Sequence, residues 1–331
     1  MKNSRICLVS VGLLAMLSLL HLCLGARLIT PNIVWSSLFD YTPKNYLHVI
    51  VINQRLPRLI VAVSIGAMLA LSGYVLQKIL RNDLVSPSTL GINSGAATFC
   101  VAAIYFWGGS DANLFWPALT GGICALIFSF IVANILGHQK GDQISLVLGG
   151  AMSTTLFSTA SAFIISLDTD IFGNLLGWLV GDISIFDLQT LSLIWPAGMA
   201  AILILLLVIR PLDLMGLGSE QAAALGVDTR WLQWIGLGGA IVLSIIAVTV
   251  VGPIGFVGLV APHMVKILIG ETGLGPPLLC LISGAILVTA ADIMARFMAA
   301  PRLLNVGSVL SLFGGVAFLI IIVVVFGRRK A

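Results

Sequence analysis

Long apolar runs separated by short polar connections recur along the whole chain. A helix needs about 20 mostly apolar residues to cross a bilayer core of about 30 Å, and most runs approach or exceed that length. The eighth and ninth runs are short, so nine spans or a half-spanning element remain open. The pattern predicts about ten membrane-spanning helices, near residues 6–26, 58–79, 89–107, 114–136, 143–167, 188–209, 231–251, 256–269, 276–298 and 306–326.

The composition agrees with an all-α integral membrane protein. Of the 331 residues, 59% are hydrophobic and 9% are charged, whereas soluble domains carry roughly 25% charged residues. No segment is long and polar enough for a separate soluble domain, so we expect one transmembrane domain over residues 1–331. Lys2 and Arg5 precede an apolar run that is longer than a signal-peptide core, and we interpret that run as a retained first helix.

Basic residues are distributed unequally between the two sides of the predicted bundle. With the amino terminus inside, eleven Lys and Arg side chains lie on the cytoplasmic side and six outside. This distribution obeys the positive-inside rule and predicts that both termini are cytoplasmic. The formal net charge of +4 is scattered between apolar segments, which argues against nucleic acid as a partner.

Motifs for chemistry within the chain are missing from the sequence. There is no GxxxxGK[ST] phosphate loop, so any ATP dependence must come from a partner. No nucleophile elbow, HExxH pair or dinucleotide fingerprint is present, which disfavours an enzyme. The five cysteines lie in or beside apolar runs without CxxC spacing, so we expect neither a metal site nor a cofactor.

Two arginines, Arg55 and Arg58, precede the second predicted helix on the side assigned to the outside. They form either an anion target or a pair of interfacial anchors with snorkelling side chains. Arg296 lies near the external end of the ninth helix, four residues after Asp292, and the two side chains can pair within the membrane. Asp292 with His263 would instead suit a proton relay in an ion-coupled carrier.

The internal connection 210–230 is the most informative polar segment. Ser219 can cap a short helix from Glu220 to Leu225, and Gly226 can end it. Such a helix is either an ordinary interfacial helix or a docking element that receives motion from a cytoplasmic motor.

Eight short segments occur in an order shared with a known family. They are RLPR at 55–58, LSGYVLQ at 71–77, RNDLVSP at 81–87, LGINSGA at 90–96, GWLVG at 177–181, ALGV at 224–227, GFVGLVAPH at 255–263 and DIMAR at 292–296. On these residues the chain resembles the bacterial permease family that imports iron–siderophore complexes, haem and vitamin B12. The match extends over nearly the whole chain.

The resemblance implies a BtuC-like type II ABC importer permease in the bacterial inner membrane. Its partners would be a second permease subunit, identical or related, two cytoplasmic ATP-binding subunits and a periplasmic substrate-binding protein. Arg55, Arg58 and Arg296 match positions that pair with acidic residues on the two lobes of that protein. The element that contacts the ATPase would comprise Ser219, Glu220, Ala223, Ala224, Leu225, Gly226 and Val227.

The implied function is translocation of a ferric siderophore, with vitamin B12 or haem as alternatives within the family. An ion-coupled secondary transporter is the alternative from another class. The sequence departs from the family pattern at four places: Asn82-Asp83 replaces Asn-Pro, Lys266 replaces Arg, Leu303–Gly307 replaces Glu-Leu-Pro-x-Gly, and Gly314–Phe318 replaces Gly-x-Pro-x-Phe. These departures leave details of the tenth helix and the connection before it open.

Overall fold

The computed structural model describes residues 2–25, 27–107, 114–137, 143–172, 176–184, 188–215, 228–270, 272–298 and 304–329. Within these ranges the regular elements are helical: α1 (Lys2–Cys23), α2 (Pro31–Phe39), α3 (Tyr46–Ile50), α4 (Leu56–Leu80), α5 (Ile92–Trp107), α6 (Phe115–Leu136), α7 (Gln143–Leu167), α8 (Thr169–Phe172), α9 (Leu176–Leu179), α10 (Leu188–Met215), α11 (Thr229–Val251), α12 (Val257–Ile269), α13 (Gly275–Met298) and α14 (Val306–Arg329). A π-helical turn, Val51–Arg55, joins α3 to α4.

Seven helical segments in the described part of the chain are long and apolar enough to cross a membrane, and three further apolar helices are shorter. The shorter ones are α5, α12 and the apolar part of α14. The prediction of an all-helical membrane protein with about ten spans is therefore confirmed.

The second spanning segment begins earlier than the sequence predicts. Its helix runs without interruption from Tyr46 to Leu80, whereas the apolar pattern places the start near residue 58. Pro57 has no N–H group and would interrupt a regular α-helix. The π-helical turn immediately before it, in which the N–H of Leu56 donates to the carbonyl of Val51, accommodates the proline within the helical segment.

Helix α4 lies at the centre of the bundle and packs against α10, α11, α12 and α13. Glycines allow its backbone to approach its neighbours closely. A Cβ atom on Gly73 would overlap the carbonyl oxygen of Gly258, and one on Gly66 would overlap that of Gly284. Close backbone contact of this kind supplies packing where lipid removes the hydrophobic drive for helix association.

The backbone is not helical between α11 and α12, at residues 252–256. Gly252 ends α11 with a φ of 79°. Irregular backbone is tolerated within a membrane only where protein satisfies its polar groups. Here the Asn93 side-chain amide donates to the carbonyl of Ile254 at 3.0 Å, and the Ser244 hydroxyl donates to the Asn93 side-chain oxygen at 3.1 Å. The break is thus held by buried side chains of the surrounding helices.

Candidate docking site for an acidic partner

The three arginines singled out in the sequence come together at one end of the bundle. Arg55 and Arg58 lie where α4 begins, and Arg296 lies in the last turns of α13. All three line one cavity of about 630 Å³, which also contacts Arg27 and the polar side chains of Tyr46, Asn53, Gln54 and Ser184. Residues separated by more than 230 positions therefore form one basic site.

Asp292 is the centre of the charged contacts at this site, and its side chain is fully buried. The Arg58 guanidinium binds it with two nitrogens: Nε lies 3.0 Å from Oδ1 and 3.1 Å from Oδ2, and Nη2 lies 2.6 Å from Oδ1. The Nε of Arg296 lies 3.3 Å from Oδ2. The pair predicted one helical turn apart is therefore present, but Arg58 makes the closer contact. A two-nitrogen contact of this kind fixes the guanidinium plane.

His21, near the end of α1, is a third partner of Asp292. Its Nε2 lies 2.7 Å from Oδ2, and the imidazole is completely buried. An ionised carboxylate only accepts hydrogen bonds, so we assign the hydrogen to Nε2. The Nδ1 atom is buried without a hydrogen-bond partner. Sequence reasoning missed this residue, because a single histidine in an apolar run carries no signal for a partner in a distant helix.

Arg55 has a different role from Arg58, since it binds backbone rather than carboxylate. Its Nη1 donates to the carbonyls of Leu22 at 2.6 Å and Cys23 at 2.8 Å, and its Nη2 donates to the carbonyl of Arg27 at 2.5 Å. The last carbonyls of a helix lack partners within the helix and carry partial negative charge. Arg55 therefore caps α1 and fixes the direction in which the chain leaves it.

Arg296 contributes to the same cap. Its Nη1 donates to the carbonyl of Leu24 at 3.1 Å, and its Nη2 lies 3.4 Å from the carbonyl of His21. One guanidinium thus contacts both Asp292 and the end of α1. This arrangement holds the first helix against α4 and α13.

Arg55 and Arg58 bind groups of the protein itself, which argues against the interpretation of these two residues as simple snorkelling anchors. Arg55 is 7% exposed, and the side chains of Arg58 and Arg296 are 11% and 10% exposed. The arginines hold the α1, α4 and α13 ends together while one face of each borders the cavity. Four arginines line the cavity, and Asp292 is the one acidic side chain that the described contacts place against them.

The other residues singled out in the sequence lie elsewhere. His263 packs edge-on against the ring of Phe318, with centroids 5.9 Å apart, whereas Asp292 binds His21. The described contacts therefore do not join the His263 and Asp292 side chains of the hypothetical proton relay. The predicted ATPase-contacting residues, Ser219 to Val227, lie outside the described residues.

The chain forms a bundle of about ten apolar helices. Buried side chains support its helix break, and charged side chains cluster at its two ends. These features define a multispanning α-helical membrane protein. Residues 13–324 match the model of the FecCD transport family. The chain belongs to that family, and the resemblance noted in its sequence motifs is confirmed.

Similar proteins cover almost the same length. The chain is 34% identical over 321 residues to the ferric enterobactin transport system permease protein FepD of Escherichia coli (strain K12), covering 96% of this chain and 93% of that protein. It is 30% identical over 313 residues to the iron(3+)-hydroxamate import system permease protein FhuB of Bacillus subtilis (strain 168), covering 93% of this chain and 79% of that protein. A solved inward-facing structure described as a metal-chelate type ABC transporter matches with a TM-score of 0.80 and 26% identity, covering 97% of this chain and 99% of that one.

Proposed function

We propose that this chain is the permease subunit of an ATP-driven importer that carries a ferric siderophore across the bacterial inner membrane. The observation that carries the proposal is the family match over residues 13–324. Its support is that similar permeases transport ferric enterobactin and iron(3+)-hydroxamate. Residues 1–331 act as one membrane domain, with both termini in the cytoplasm.

Energy for transport comes from other subunits, because the chain has no phosphate-binding loop. Two cytoplasmic ATP-binding subunits and a second permease, identical or related, complete the importer. Closure of the ATPase pair shifts the permease between two states that bind the partners with different affinity. The segment Ser219–Val227 is the proposed contact with the ATPase.

The first experiment measures uptake of ⁵⁵Fe, supplied as ferric enterobactin, ferric hydroxamate and ferric citrate, in iron-starved cells. Deletion of the gene is expected to abolish uptake of at least one chelate, and the gene on a plasmid is expected to restore it. Dissipation of the proton gradient at maintained ATP distinguishes the mechanisms, since an ion-coupled carrier would stop and an ATP-driven importer continues. Unchanged uptake of all three chelates in a strain without another importer would contradict iron import.

The cavity at the arginine end is the proposed docking site for the periplasmic binding protein. Arg55, Arg58 and Arg296 line it together with Arg27, and this excess of positive charge suits acidic side chains on a partner. Complementary charge raises the association rate and fixes orientation. Because the side chain of Arg27 is exposed, salt screens part of the attraction.

Docking is tested by surface plasmon resonance. The permease is immobilised in nanodiscs, and the purified binding protein of the same transport system is passed over it. Reversal of charge at Arg55, Arg58 and Arg296 together is expected to weaken docking, but the same arginines hold α1, α4 and α13 together. Arg27→Glu is the cleaner variant, because the side chain of Arg27 is exposed and Asp292 keeps its partners.

We expect Arg27→Glu to slow association about tenfold at low salt, with the difference shrinking as salt is added. Lys44→Glu, a charge reversal at an exposed position between α2 and α3, is the matched control and is expected to change the rate less. Equal association rates for Arg27→Glu and wild type at low salt would refute docking at this cavity.

A further inference from the structure

A second charged cluster lies at the opposite end of the bundle, around Asp213. Its Oδ1 accepts a hydrogen bond from the Lys78 ammonium, and its Oδ2 accepts the N–H of Gly273 at 2.7 Å. The Lys78 ammonium also donates to the Tyr74 hydroxyl at 2.9 Å. One carboxylate thus connects the end of α10 to the end of α4 and to the connection between α12 and α13.

This contact is more enclosed than the neighbouring ion pair at the same end. The side chains of Lys78 and Asp213 are each 14% exposed, whereas those of Lys266 and Asp83 are 36% and 49% exposed. All four line a cavity of about 330 Å³. Exposed pairs are screened by water and salt and contribute little, while enclosed pairs are screened much less. Asp213 therefore makes the stronger connection between helices.

Asp213 lies close in sequence to the segment that is proposed to contact the ATPase. Helix α10 ends at Met215, and the segment Ser219–Val227 follows four residues later. Lys78 lies on α4, which packs against α10 to α13. A displacement of the segment after α10 would therefore act on α4 and on the Gly273 connection through one side chain.

We propose that Asp213 is a positioning residue that transmits movement of the cytoplasmic coupling segment to α4 and to the connection before α13. The inference rests on the proposed function, because it requires an ATPase that moves this segment. The ion pair with Lys78 and the hydrogen bond from Gly273 share the Asp213 carboxylate, so both change when α10 moves. Weakening these two contacts leaves ATP hydrolysis running while fewer substrate molecules cross per ATP.

The test uses the complete importer, with its ATP-binding subunits and binding protein, in proteoliposomes. MgATP hydrolysis and delivery of ⁵⁵Fe as ferric enterobactin are measured in parallel, and the readout is iron delivered per ATP. Asp213→Asn removes the charge that binds Lys78 but keeps an oxygen for Gly273. We expect this ratio to fall about threefold to tenfold, since changes along a connecting network modulate the coupling between two sites.

Variants of Lys78 show whether the contact itself is responsible. Lys78→Met is expected to lower the ratio as Asp213→Asn does, Lys78→Arg to retain it, and the double variant Lys78→Met with Asp213→Asn to be no worse than either single change. Asp83→Asn, in the exposed pair of the same cavity, is the matched control and is expected to stay within twofold of wild type.

An unchanged ratio in Asp213→Asn and Lys78→Met overturns the role of Asp213, whether both rates stay at the wild-type level or fall in equal proportion. If Asp213→Asn fails to assemble, the Lys78→Met and Lys78→Arg pair decides by the same criteria. Failure of the proposed function is seen separately, in wild type alone, as ATP hydrolysis without any delivery of iron chelate. In that case the inference falls as well, because without delivery of iron chelate Asp213 has no transport step to couple to ATP hydrolysis.

Discussion

The two ends of α4 carry charged clusters that are built differently. At the arginine end, three basic side chains surround the buried Asp292 or cap α1, and all three line an open cavity. At the other end, Lys78 pairs with Asp213 and Lys266 pairs with Asp83. The first cavity is lined by four arginines around one buried carboxylate, whereas the second is lined by three basic and two acidic side chains, so its excess of positive charge is smaller.

The two arrangements of charge suit different tasks. Excess charge beside a cavity suits attraction of an acidic partner, because the internal carboxylate does not neutralise it. Ion pairs between helices suit a mechanical connection, because each pair holds two elements together and its charges largely cancel. Burial of the ion pairs, and not merely their number, should therefore distinguish the two clusters.

The largest effect is expected for Asp292→Asn. Removing this carboxylate leaves the guanidinium groups of Arg58 and Arg296 without their buried counter-charge, and breaking a buried pair costs about 3–5 kcal/mol. The measurement is thermal unfolding of the purified permease in detergent, together with its abundance in the membrane. Asp40→Asn is the matched control, since Asp40 is an exposed carboxylate at the end of α2. Similar unfolding temperatures for the two variants would contradict the central role of Asp292.

A smaller loss is expected for Arg55→Lys. The ammonium of lysine lacks the planar fork with which Arg55 reaches the carbonyls of Leu22, Cys23 and Arg27. Loss of one such bond from a charged donor lowers the free energy of unfolding by about 1.5–3 kcal/mol. Chemical denaturation in mixed micelles measures the change. Arg27→Lys keeps the charge of an exposed side chain and should leave the denaturation midpoint near that of wild type.

Gly73→Ala tests the close packing of α4, the helix that carries the charged clusters at its two ends. The added methyl group would overlap the Gly258 carbonyl, and overpacking of this kind costs about 1–3 kcal/mol. The comparison is with Gly238→Ala, where an added Cβ meets nothing within 4 Å. The thermal unfolding temperature is expected to fall for Gly73→Ala only. An equal fall in both variants would point to an effect of glycine replacement in general.

The smallest effect is expected for Asp83→Asn. Its partner Lys266 lies 2.7 Å away, but both side chains are at least one-third exposed. An exposed pair contributes about 0–1 kcal/mol, and salt screens it. Unfolding in low and high salt should therefore differ little between variant and wild type. A loss as large as that of Asp292→Asn would break the contrast between exposed and buried pairs.

Much of the fold follows from the sequence because length and polarity decide which segments cross a membrane. The alternation of predicted spans also places Arg55, Arg58 and Arg296 on one side and Lys78 and Lys266 on the other. The structure groups the side chains in the same way. Orientation of the bundle relative to the cytoplasm stays a prediction from charge.

The contacts within each cluster could not be predicted, because their partners are remote in sequence. Spacing of four residues indicated Asp292 with Arg296, but Arg58, 234 positions away, makes the closer contact. His21 gave no signal, since it is a single polar residue in an apolar run. Asp213 lies in the polar segment 210–230, whose sequence did not indicate a partner on α4. The early start of the second span was missed because Pro57 resembles a helix boundary when the preceding π-helical turn is unknown.

The continuity of α4 has a thermodynamic consequence. From Arg58 to Lys78 the helix spans about 30 Å at 1.5 Å per residue, so one rigid element contacts both clusters. If docking at the arginine end changes the affinity of the ATPase for nucleotide by some factor, nucleotide must change the affinity for docking by the same factor. A titration of binding protein at saturating and zero ATP would therefore report, from outside the membrane, on events at the cytoplasmic face.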